Sequence, residues 1–191
     1  MRSRVVYLHG FNSSPASLKA RLFAEFCTAR HIEYAVPALS HDPVVAMNTA
    51  LACITQQGSK PALLIGSSLG AYYATWFTEH FGIPSALVNP AVSPCDQLHD
   101  GFLGRQRNHY TGEEYEFTVA HVDALRRYDS PRIHDPRKYL LLVQTGDEVL
   151  DYRLAVDRYQ GCEQDVQPGG NHSYENFADK LPRIMQFAGL Q

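Results

Sequence analysis

Long apolar runs, basic clusters and paired cysteines are all missing from this sequence of 191 residues, and each absence removes a class of function. No apolar stretch approaches the roughly 20 residues that span a bilayer, so no membrane span is expected. The 17 Lys and Arg are outnumbered by 20 Asp and Glu, the formal net charge is −3, and no run of Lys or Arg is longer than two. That balance excludes the footprint of a nucleic-acid-binding surface. Cys27, Cys53, Cys95 and Cys162 are scattered without CxxC spacing, as small buried hydrophobes in a reducing compartment would be. The amino end, MRSRVVYLHG, enters a strand-like run at residue 4 and leaves no room for a charged region followed by an apolar signal core. The expectation is a soluble, cytoplasmic chain; oligomeric state is not legible.

What is present is an alternation. Short apolar runs at 4–9, 33–39, 62–67, 85–92 and 138–146, with a weaker one at 163–170, are separated by helical patterns at 14–31, 42–58 and 71–82, and a last helix runs from about Asn176 to Phe187. Strands that are apolar throughout are covered by helices on both faces, so the pattern predicts a mostly parallel six-stranded α/β sheet in one domain, 1–191. One segment breaks the rhythm. Residues 93–137 carry Gly, Asp, Tyr and short helix-like pieces but no convincing strand, which suggests a lid-like insertion. Tyr110, Tyr115, Phe117, Phe102 and Leu103 are its candidates for flooring an apolar pocket.

The chemistry starts at IGSSLG, Ile65 to Gly70. Gly-x-Ser-x-Gly frames Ser68 between Gly66 and Gly70, whereas Ser67 has a leucine at its second position. Three fixed positions of this kind arise by accident about once in fifteen to twenty chains of this length. Context raises the specificity: an apolar run precedes the motif and a helical pattern follows it, giving the strand, sharp turn and helix that expose a nucleophilic serine.

A serine needs a base, and position must choose among nine histidines. His172, in GGNHSYENF, follows the last strand-like run and precedes the terminal helix, in a loop able to reach the serine. An acid must then orient the imidazole. DEVLDY, after the strand KYLLLVQTG, offers Asp147, Glu148 and Asp151. Asp147 follows the glycine that closes the strand, with Asp151 its rival, and the order Ser68, Asp147, His172 fits an α/β-hydrolase. An oxyanion hole needs two backbone N–H donors: Leu69, directly after the serine, and Phe11, in the HGF loop after the first strand, are the candidates. His9 is expected to buttress that loop.

With LHGFNSSP, LIGSSLGAYYAT, NPAV, YTGEEYEF, LLLVQTGDEVLDY and GGNHSYENF taken together, the chain resembles the small bacterial esterases of the YqiA/YcfP type within the α/β-hydrolase superfamily. The resemblance spans nearly the whole chain. It implies a three-layer fold with a reduced six-stranded sheet and hydrolysis of carboxylic esters or acyl thioesters, acyl-CoA among them, with Ser68 as nucleophile. The oxyanion loop departs from the lipase glycine run, which argues for slim substrates.

The main reading is therefore a serine hydrolase with no cofactor and no metal, acting on a small-molecule acyl ester or thioester. A non-catalytic interaction module on the same fold, and an amide or peptide hydrolase using the same three residues, are the alternatives. Dehalogenase chemistry would want a carboxylate where Ser68 stands, and no histidine pair has metal-ligand spacing with a carboxylate.

Overall fold

The computed structural model describes residues 4–56, 60–97 and 102–190. In chain order the elements are β1 (Arg4–Leu8), α1 (Leu18–Ala29), β2 (Glu33–Ala35), α2 (Pro43–Thr55), β3 (Leu63–Ser67), α3 (Leu69–Phe81), β4 (Ser85–Val88), α4 (Pro94–Gln97), β5 (Gly104–Arg107), β6 (Glu114–Phe117), α5 (Val119–Arg126), β7 (Tyr139–Gln144), α6 (Tyr152–Arg158), β8 (Glu163–Gln167) and α7 (Phe177–Phe187). The end of the second helical pattern, at 57 and 58, and part of the insertion, 98–101, lie outside the described residues. Among the described residues no helix is long and apolar enough to cross a membrane.

Six strands form one sheet in the order β2-β1-β3-β4-β7-β8, and every neighbouring pair is parallel. The interior strands β1, β3, β4 and β7, apolar but for a residue at one end, are buried along their whole length. The two edges, β2 and β8, are half exposed. That explains their weaker apolar signal. β2 stops at Ala35, short of the expected 39, because Pro37 has no N–H to give the ladder. β4 likewise ends at Val88, before Pro90.

Successive residues of each strand serve opposite faces. Val6, Leu8, Leu64, Leu87 and Leu141 pack with α2, α3, α5 and α6. Val5, Tyr7, Leu63, Ile65, Val88 and Leu142 pack with Phe23 of α1 and Phe177, Leu181 and Ile184 of α7. The division follows from handedness. Only the β1-to-β2 connection moves leftward along the sheet, so a right-handed crossover puts α1 on the face opposite α2 and α3, and α7 returns to cover it. Between β1 and β3 the connections therefore run in opposite directions, which opens a crevice at the strands' carboxyl ends, where α/β sheets bind ligands.

The insertion corrects one expectation, because it does contain strands. β5 and β6 form an antiparallel hairpin pairing Gly104 with Phe117 and Arg107 with Glu114. GRQR is polar throughout and opens on a glycine, and EYEF alternates charged with aromatic residues over only four positions, too short a stretch to stand out as a strand in sequence. In the loop Asn108 Oδ1 accepts from the N–H groups of Tyr110 (2.9 Å) and Thr111 (3.1 Å), and Gly112 closes it at φ +74°. α5 follows with a capping box in which Thr118 and His121 serve each other's backbone N–H.

Candidate active site

At the end of β3 the chain turns into α3 through Ser68, held at φ 55°, ψ −122°. A non-glycine residue there costs about 1–3 kcal/mol and persists only when its surroundings fix it. They do. Ser68 N–H donates to the Val88 carbonyl (3.0 Å), and the Ser68 carbonyl accepts from Ala71 (3.0 Å) and Ala91 (3.2 Å). The flanking glycines are required by space: a Cβ on Gly66 would stand 2.6 Å from the Gly70 carbonyl oxygen, and one on Gly70 would press into the carbonyls of Leu8 and His9. Ser67 is buried and hydrogen-bonded to Tyr7. Of the two adjacent serines, Ser68 alone presents its hydroxyl to histidine.

His172 Nε2 lies 3.1 Å from Ser68 Oγ. Its other nitrogen, Nδ1, lies 2.8 Å from Asp147 Oδ2 and 3.0 Å from Oδ1. The Asp147 side chain is 2% exposed and that of His172 23%. Burial by itself would raise the Asp147 carboxyl, but hydrogen bonds from His172 and from the N–H groups of Leu150 and Val149 hold it below the ordinary carboxylate value. A carboxylate therefore accepts from Nδ1–H, which leaves the Nε2 lone pair facing Ser68. The other two carboxylates of the segment go elsewhere. Asp151 caps α6 by accepting from Arg153 N–H (3.0 Å) and pairs with the Arg153 guanidinium (2.8 Å), while Glu148 accepts from the backbone N–H of His172 (3.0 Å). α6 itself has no counterpart in the sequence reading.

The HGF loop crosses directly over the serine: a Cβ on Gly10 would be 3.0 Å from Ser68 Cβ and 3.6 Å from Oγ. Among the described residues the N–H groups of Phe11 and Leu69 donate to no protein acceptor, and both residues line a cleft together with Ser68. His9 is buried beneath this loop. Leu39 N–H donates to its Nε2 (3.0 Å), so the ring proton is on Nδ1, which donates to the Gly10 carbonyl (3.0 Å). Burial pushes its pKa down, against the Gly10 bond, and a neutral ring with both nitrogens occupied suits a buttress.

Three buried or loop groups that the sequence reading left without a role hold the His172 loop. Asn89 Nδ2, just past β4, donates to the carbonyls of Asn171 (3.0 Å) and His172 (3.2 Å), and its Oδ1 accepts from Gln144 N–H (3.0 Å). Gln144 Oε1 accepts from the N–H groups of Glu175 (2.8 Å) and Asn171 (3.2 Å). A Cβ on Gly170 would collide with that side chain, and the residue also needs φ +73°. The third is Lys19 of α1, whose ammonium donates to the Ser173 carbonyl (2.9 Å). A polar residue ending an apolar strand is the one sequence signal that Asn89 and Gln144 carry.

Two clefts meet at Ser68 and His172. The larger, about 680 Å³, is apolar, with Leu69, Ala91, Pro94, Phe102, Val149 and Leu150 in its wall. The smaller, about 360 Å³, is the more polar of the two, with Ser13, Ser17, Lys19, Tyr110 and Ser173 beside the apolar Tyr7, Phe11 and Leu18. Of the insertion's aromatics, Phe102 and Tyr110 thus reach the clefts. Tyr115 and Phe117 instead pack on the body: both rings meet Phe11 edge-on, and the Tyr115 hydroxyl bonds Asn12.

The fold has many relatives of known structure. A "Putative hydrolase" from Agrobacterium vitis S4 superposes with a TM-score of 0.76 at 16% identity, covering 98% of this chain and 88% of that one. Mouse alpha/beta hydrolase domain-containing protein 10 gives 0.72 at 15% identity, over 96% and 88%. Est1E from Butyrivibrio proteoclasticus gives 0.67 at 14% identity, over 98% and 86%. At such identities the likeness establishes the α/β-hydrolase fold. In sequence the chain is 28% identical to a UPF0227 protein of Serratia proteamaculans, over 97% of this chain and 99% of that protein, and 28% identical to one of Shewanella oneidensis, over 96% and 98%. Residues 4–189 match the Uncharacterised protein family (UPF0227), and with nearly the whole chain covered, the protein belongs to that family.

Proposed function

We propose that the protein is a serine hydrolase that cleaves carboxylic esters or acyl thioesters through an acyl-enzyme on Ser68. The observation that carries this reading is the relay of contacts from Asp147 through His172 to Ser68, at 2.8 Å and 3.1 Å. In the first half-reaction His172 Nε2 takes the Ser68 proton as Oγ bonds to the acyl carbon, and the carbonyl electron pair moves onto oxygen. The free N–H groups of Phe11 and Leu69 receive that oxyanion, each donor of this type being worth about 3 kcal/mol of barrier. His172 then gives the proton to the departing alkoxide or thiolate. Water enters, His172 removes its proton as the water oxygen bonds to the acyl carbon, and the imidazolium returns that proton to Ser68 Oγ as the C–Oγ bond breaks and the acid leaves. Asp147 stays ionised throughout and stabilises the imidazolium. The segment 93–137 acts as a lid whose Phe102 meets the acyl or alcohol portion of the substrate, and the location is cytoplasmic.

Activity-based labelling tests the nucleophile. A fluorophosphonate probe is expected to label the wild type and Ser67→Ala but not Ser68→Ala. Turnover of a panel of acyl esters and thioesters should vanish with the label. A folded wild type that takes no label would instead support the interaction-module reading.

A further inference from the structure

The polar cleft beside Ser68 contains a cation without an anion. Lys19 projects from the first turn of α1 into the wall that also holds Ser13, Ser17, Tyr110 and Ser173. Its ammonium has three donors and uses one, on the Ser173 carbonyl at 2.9 Å. Among the described residues no carboxylate lies within ion-pairing distance of it, in contrast to Lys180, which sits 2.9 Å from Asp165. The carboxylate that Lys19 does feel, Asp147, is already committed to His172 and two backbone N–H groups. The cleft thus offers an ammonium with two unused donors among hydroxyl groups, and it opens onto the same serine as the apolar cleft.

We propose that this polar cleft is an anion subsite, that Lys19 is its specificity-determining residue, and that the substrate is an ester joining an apolar group to a carboxylate-sized anion. The apolar group lies against Leu69, Phe102 and Val149, the anion takes the two free ammonium donors, and the scissile carbonyl spans the junction at Ser68. Burial brings the Lys19 ammonium down to about 8, opposed by Asp147, so the charged form is under-solvated and gains from a ligand that neutralises it. The inference rests on Ser68 being the nucleophile and adds the class of substrate.

The test pairs each anionic ester with a neutral match. 4-Butyryloxybenzoate with its methyl ester places the anion on the alcohol side, and mono-4-nitrophenyl glutarate with 4-nitrophenyl valerate places it on the acyl side. In one orientation the ratio of kcat/KM, anionic over neutral, is expected to fall about tenfold or more in Lys19→Met, through KM, and to recover in Lys19→Arg. The responding pair also tells which cleft takes the acyl group. Equal losses on anionic and neutral esters would make Lys19 a tether of the His172 loop and overturn the proposal, as would ratios that do not respond in either pair. Calorimetry with 4-butyramidobenzoate, an uncleaved amide, reads the subsite without turnover. Binding that Lys19→Met weakens, in a protein that cleaves no ester, would uphold the subsite and remove the hydrolase. Ester cleavage with no Lys19 dependence of either readout would leave the hydrolase and remove the subsite.

Discussion

Asp147 and Asp151 leave the same strand in the same loop, and backbone geometry separates their roles. Asp147 follows Gly146, whose N–H donates to the Gly169 carbonyl (2.8 Å), so it is fixed beside the loop that carries His172. Asp151 comes after the turn and starts α6, where its carboxylate meets backbone N–H and Arg153. Loss of the orienting carboxylate leaves imidazole in the wrong tautomer and costs on the order of 10⁴ in kcat. Asp147→Asn is therefore expected to lower kcat by thousands-fold with an unchanged circular dichroism spectrum. Asp151→Asn keeps a good helix cap and should stay within about threefold. Steady-state kinetics on one ester rank the two. His172→Ala should cost several powers of ten, and kcat/KM of the wild type should fall on acidification, because a protonated imidazole cannot accept the Ser68 proton.

At the scale of elements, the insertion is joined to the loop that crosses Ser68. Asn12, one residue past Phe11, donates to Gln106 (3.2 Å) and accepts from Tyr115, and Asn108 donates to the Ser13 carbonyl (2.9 Å). The hairpin thus clamps the loop whose Phe11 N–H is the proposed oxyanion donor. Its aromatics divide by burial. Phe117 is 1% exposed and belongs to the core cluster, so Phe117→Ala should cost about 3–5 kcal/mol of stability, read from chemical denaturation. Phe102 lines the apolar cleft and packs edge-on against Phe11 at 5.6 Å. Phe102→Ala should instead shift the ratio of kcat/KM between long and short acyl chains by about fivefold or more, since each methylene contact in such a pocket is worth ~1–3 kcal/mol. A constant ratio with a large drop in melting temperature would show that Phe102, too, is core.

Over the whole molecule, the site ties pH-dependent stability to catalysis. The Asp147 carboxyl titrates below its ordinary value in the folded chain. Its contribution to stability is therefore fully present above the unfolded value, near pH 4, and is lost as pH falls through the lower folded value. Below about pH 4 the wild type should lose stability more steeply than Asp147→Asn, compared by urea denaturation across pH. Equal slopes would mean that the hydrogen bonds to Asp147 do not outweigh its burial. The site itself sits where the sheet's connections reverse direction, between β1, which leads to Phe11, and β3, which ends at Ser68.

The sequence by itself determined the layered sheet and marked the candidate nucleophile. Strands buried on both faces need unbroken apolar runs, and a strained serine needs glycines at Gly66 and Gly70, so both leave local marks. It also narrowed the acid to three neighbours and the base to one loop. Only the tertiary structure decided what depends on contacts between distant segments. The hairpin β5–β6 was hidden because each strand is only four residues long, with β5 polar throughout and the single aromatic face of β6 too short to mark a period. Asn89 and Gln144 could not be assigned because a side-chain amide shows its partners only when β4, β7 and the His172 loop stand side by side. The cation beside the serine is of the same kind. Lys19 precedes Ser173 by most of the chain, and packing of α1 against α7 is what brings them to 2.9 Å. Local periodicity fixes which face of an element is buried, while a site assembled from loop ends is fixed by how the elements are ordered in the sheet.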